Sequence, residues 1–162
     1  MGDTFHFKFT NQKAFEERFG KIRVQQVTNN AVRNHIRDMQ ETMKEVTPLG
    51  TKYRNDRSPG NLKQGWVRPV HGKPTYRITN KKDGTVNVFL YNHAQDKFGH
   101  EYGNDVNYGH ESYNQFGGAY VTKYGTTFVP GKFFIEAGMN RLENDRELTD
   151  DIEEDITRGL NS

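Results

Sequence analysis

Three histidines, His93, His100 and His110, stand among Glu101, Asp105 and Glu111 in a stretch rich in glycine and tyrosine. Imidazole and carboxylate are the donors that hold zinc or nonhaem iron, so these residue types suit a metal-dependent hydrolase. The tightest such arrangement is a helical histidine pair four residues apart, which shares one face. Here the histidines are seven and ten residues apart in glycine-broken sequence, and no periodicity puts them together. Glu101 and Glu111 supply two carboxylates of the kind glycoside hydrolysis needs, without further sign of it. Ser58 and Ser112 lack the G-x-S-x-G elbow, and no glycine-rich loop ends in G-K-[ST] or opens a helix as G-x-G-x-x-G. No catalytic residue, cofactor or metal ligand is therefore expected, and the hydrolase stands as the alternative reading.

The chain has 162 residues, no cysteine, an apolar fraction of 32% and a formal charge of +2. One thin-cored domain over 1–162 fits that length. Disulfides and thiolate sites are excluded. The near-neutral balance gives no general case for nucleic acid or an anionic membrane, although Lys52, Arg54, Arg57 and Lys63 could touch phosphate. No apolar run approaches membrane-spanning length and the N-terminus has no export signal, so synthesis and residence in a cytoplasm are expected. Charge becomes uneven only near the end, where Glu143 to Asp155 is strongly acidic.

Several elements must position the histidine stretch. Phe5, Phe7 and Phe9 alternate with polar residues, so 1–10 reads as a strand or an extended arm. Phe15 and Phe19 suit a short helix. From Lys21 to Val46 the pattern predicts one long helix with Val32, Ile36, Met39, Met43 and Val46 as its apolar stripe, stopped by Pro48. Strands are expected over 62–70, 75–79 and 85–91, the last two joined through Asp83-Gly84. Val86, Val88 and Leu90 line one face of the last strand, and Asn87, Phe89 and Tyr91 the other. Residues 92–131 lack a period of their own and read as an extended loop. Phe134, Ala137 and Leu142 mark a helix with Phe133 beside it, and 148–162 a second one with Ile152, Ile156 and Leu160 inward. The fold class is α+β: a long N-terminal helix on a small antiparallel sheet, a long glycine and tyrosine loop, and C-terminal helices.

Several landmarks come in a characteristic order: Thr47-Pro48, Gly60-Asn61-Leu62 with Trp66, Tyr91-Asn92, Val106-Asn107-Tyr108-Gly109-His110, Gly117-Gly118, and Val129-Pro130-Gly131-Lys132-Phe133-Phe134. In that order the chain resembles the tail-completion, or neck, proteins of long-tailed bacteriophages and prophage-derived particles. Asn107 stands where that family has glutamate, and Lys132 where it has arginine. The resemblance implies a structural virion protein that forms a closed ring at the head-proximal end of the tail, completes the tail and joins it to the head. Its implied partners are further copies of itself, a tail terminator or tail tube, and head-closure or connector proteins, with passive contact to DNA in the neck and none to membrane. Tyrosine and glycine suit interfaces, through contact area and close backbone approach. Tyr91, Tyr108, His110, Tyr113, Phe116 and Tyr120 are the expected contacts with neighbours, while Trp66, Pro48, Gly60, Gly109, Pro130 and Gly131 are expected to hold the structure.

Overall fold

A computed structural model describes residues 2–49, 60–96, 98–112, 121–122 and 125–162, with side chains described outside 2–3 and 110–130. Strand β1 (Gly2–Phe7) is followed by helices α1 (Gln12–Phe19), α2 (Lys21–Asn34) and α3 (Ile36–Val46), then by the single turn α4 (Asn61–Gln64). Strands β2 (Tyr76–Asn80) and β3 (Val86–Tyr91) form the hairpin, and β1 joins them antiparallel in the order β1-β3-β2. Asp83 closes that hairpin: its carboxylate accepts the Thr85 N–H at 2.9 Å, which holds its pKa below the usual range. Then come α5 (Gly103–Tyr108), β4 (Gly109–Ser112), β5 (Val121–Thr122), β6 (Gly125–Pro130), α6 (Phe134–Glu143) and α7 (Arg146–Asn161).

Three expectations are corrected. No long N-terminal helix exists: the segment from Lys21 to Val46 is two helices, of 14 and 11 residues, broken at His35. His35 adopts φ −100°, ψ 4°, and its ring reaches Asp155 of α7 at 3.1 Å and Asp38 at 3.3 Å. The break lets α2 pack on α7 and α3 on α6. Residues 62–70 form α4 and turns instead of a strand, because Gly60 sits in the left-handed region and starts a helical turn that buries Leu62. Finally, 92–131 is no single loop, since α5 and a second antiparallel sheet, β4-β6-β5, lie within it.

The other elements follow the sequence pattern. Phe5 and Phe7 on β1 and Val86, Val88 and Leu90 on β3 turn the same way and are buried under the helices. Val32, Ile36, Met39 and Met43 meet them from above. Helix α6 buries Phe134, Ile135, Gly138, Met139 and Leu142, whereas the expected Ala137 lies outside. Helix α7 begins two residues earlier than the pattern predicts, because the Asp145 carboxylate accepts the Leu148 N–H at 3.0 Å and caps it. Gly138 marks the closest α3–α6 approach: a Cβ there would lie 2.4 Å from the Met43 sulfur.

Candidate functional site

Trp66 is fully buried, packs edge-on against Phe134 with centroids 6.5 Å apart, and donates its indole N–H to Thr47 Oγ1 at 2.8 Å. Thr47 in turn donates to the Met43 carbonyl at 2.6 Å, just before Pro48 ends α3 with extended geometry at Thr47. Asn92, also buried, donates to the Leu62 carbonyl at 2.7 Å, and Asn61 donates to the Gln95 carbonyl at 3.0 Å. The landmarks Thr47-Pro48, Gly60-Asn61-Leu62, Trp66 and Tyr91-Asn92 therefore meet in one hydrogen-bonded knot beneath α6.

A second knot joins two of the remaining landmarks, Val106 to His110 and Val129 to Phe134, while Gly117-Gly118 lies outside the described residues. Asn107 is completely buried at the end of α5. Its Oδ1 accepts the Ile135 N–H at 2.9 Å, and its Nδ2 donates to the Glu136 carboxylate at 2.9 Å. One amide from α5 thus serves both the open N–H groups and the acidic first turn of α6, work that a cap residue of the helix itself ordinarily does. The backbone adds two more links: Lys132 N–H to Val106 C=O at 2.9 Å and Phe133 N–H to Asn107 C=O at 2.9 Å. Gly131 permits this approach, because a Cβ there would lie 2.2 Å from the Asn107 carbonyl oxygen. Gly109 then pairs with Pro130 as the first rung of the second sheet.

This clasp displays two rings. Tyr108 is 54% exposed and Phe133 56%, with centroids 6.5 Å apart and planes near perpendicular. Phe133 has φ 49°, a left-handed conformation that a bulky side chain adopts only when its surroundings impose it. Tyr108 and Phe133 form an aromatic pair on a rigid mount; the sequence places Phe133 beside the helix and within a landmark but not among the expected contacts, because positive φ leaves no mark in residue type.

The histidines are placed differently. His93 Nδ1 lies 3.2 Å from both oxygens of Glu101, to which Lys73 also donates at 2.5 Å. Burial alone pushes the Glu101 carboxyl up, but the hydrogen bonds and charge of Lys73 and His93 outweigh it and hold the pKa at about 2. His100 is mostly exposed and faces Asp96 at 3.6 Å. His93 and His100 thus serve separate carboxylates, and among the described residues no group of three side chains is arranged to hold a metal. The side chain of His110 lies outside the described residues, as do Tyr113, Phe116 and Tyr120.

Tyr91 belongs to a row on the outward face of β3. Phe89 and Tyr91 stack at 6.4 Å and Tyr91 and His93 at 5.8 Å, with Arg77 capping Phe89 at 4.9 Å. The three rings are near parallel along the strand, so each covers part of its neighbour's face.

No protein-family model, no curated protein and no solved structure matches this chain. Function must be argued from its own geometry.

Proposed function

We propose that this chain is a structural ring subunit, a neck or tail-completion component of a long-tailed phage or prophage-derived particle, present in the virion and in the host cytoplasm during assembly. Supporting this reading is the Tyr108–Phe133 pair, held by the clasp and more than half exposed. Large rings on a fixed mount lose little freedom on binding, which is how a few aromatic anchors come to dominate an interface. Tyr91 is a further proposed contact with neighbouring copies, as are His110, Tyr113, Phe116 and Tyr120 from their residue types in the sequence alone. A contact between different patches on identical subunits generates a ring when the rotation closes. The axial partners are the tail and head-closure proteins that the sequence resemblance implies.

Phe133→Gly tests the reading without confusing binding with folding. Glycine takes φ 49° without strain but adds freedom to the unfolded chain, so the two effects offset and the monomer should keep its stability to within about 1 kcal/mol. Native mass spectrometry should show one closed ring size for the parent chain and mostly monomer for the variant. Rings that form equally well in both, or a parent chain that stays monomeric at every concentration, would refute the proposal.

A further inference from the structure

The charge of this chain is segregated by element. Between Leu62 and Lys82 the sequence has six lysines and arginines and no acid, whereas Glu143 to Asp155 has eight acids and one arginine. In the fold the first set becomes a ridge along the edge strand β2 and its flanking turns, where Arg68, Lys73, Arg77, Lys81 and Lys82 are exposed. The second becomes the outer face of α7, with Glu147, Asp150, Asp151 and Glu154 exposed. Lys73 is engaged by Glu101 and Glu154 by Arg158, but Arg68, Lys81, Lys82, Glu147, Asp150 and Asp151 have no salt-bridge partner among the described residues. No salt bridge joins ridge to helix within the described part of the molecule.

We infer that the acidic face of α7 in one copy docks against the basic β2 ridge of the next. This rests on the ring reading above and names the surfaces that meet. The occupant is a second copy because complementary faces of similar length are both present on one chain: Glu147 to Glu154 spans about 10 Å of helix axis, and Arg77 to Lys81 about 13 Å of strand. A patch that fits a different patch makes a heterologous contact, the type that builds rings. Arg77 on the edge strand, with Lys73, Lys81 and Lys82 in the turns at its two ends, opposes pairing of this edge with the same edge of another copy, and the acidic helix face offers it the opposite charge. Complementary charge also sets register and rejects the reverse orientation.

Two triple variants test this, both on exposed side chains that make no salt bridge among the described residues. In one, Glu147→Lys, Asp150→Lys and Asp151→Lys turn the helix basic. In the other, Arg68→Glu, Lys81→Glu and Lys82→Glu turn the ridge acidic. Each alone should self-associate at least about tenfold more weakly in sedimentation velocity, since like charges then face each other. An equimolar mixture should recover assembly, because every contact between unlike variants is complementary again. Rings that form normally in each variant alone, or no recovery on mixing, would overturn the inference while leaving the ring reading intact. A parent chain that never assembles would overturn both. If the ridge variant loses binding to a short DNA duplex but assembles like the parent, the ridge serves phosphate and the inference fails.

Discussion

Glu101 shows how a single side chain can tie separate segments together. Its carboxylate joins Lys73, in the turn before β2, to His93, just beyond β3, and its own residue bridges to Gln95. The group is depressed in the folded chain, from 4.5 to about 2. Its stabilisation is therefore complete above the unfolded value and fades as pH falls from 4.5 towards 2, where the folded state must take up the proton as well. Glu101→Gln keeps the shape and removes that charge. Urea melts across acid pH should show a flatter acid limb for the variant, with a loss of about 1–2 kcal/mol at neutral pH, below the usual worth of hydrogen bonds to a charged group because Lys73 is half exposed and solvent screens the pair. Equal acid limbs would show that Lys73 and His93 do not act on this carboxylate in solution.

At the scale of elements, the clasp between α5 and α6 ties the second sheet to the core. Gly131→Ala would set a methyl group 2.2 Å from the Asn107 carbonyl oxygen and 2.5 Å from the Tyr108 carbonyl carbon, both backbone atoms with no rotamer to yield. The expected cost is at least about 2–3 kcal/mol, read as a lower thermal midpoint together with faster amide exchange at Lys132 and Phe133. An unchanged midpoint would mean that the clasp is open in solution. The sequence shows some of these elements and hides others for physical reasons. Alternation at Phe5 and Phe7 and at Val86, Val88 and Leu90 is legible because one buried face enforces period two. The break at His35 is not, since no proline or glycine marks it and the stripe from Val32 to Met43 runs on through it unchanged. The turn at Asn61 hides because a four-residue helix is too short to show a period. The landmarks were visible as residue types in order, but Asn107 reads as one more loop asparagine until α6 is seen to need its oxygen.

For the whole molecule, the proposed ring would draw on apolar surface that the core leaves uncovered. The described core runs from Phe5 to Leu160 and is continuous, yet large apolar side chains remain outside it, among them Ile22, Leu49, Phe98, Tyr108 and Phe133. A folded subunit that buries part of this surface against sister copies is stabilised by mass action, because only the folded form assembles. Its thermal midpoint should therefore rise with protein concentration, by several degrees over a hundredfold range when assembly and unfolding are linked. High salt should reduce that rise if charged faces contribute, because screening weakens exposed pairs most. Phe133→Gly should remove most of the concentration dependence while leaving the dilute midpoint in place. A midpoint independent of concentration for the parent chain, from dilute solution to the highest soluble concentration, would mean that the folded monomer gains nothing from its own kind and that these exposed rings serve some other contact.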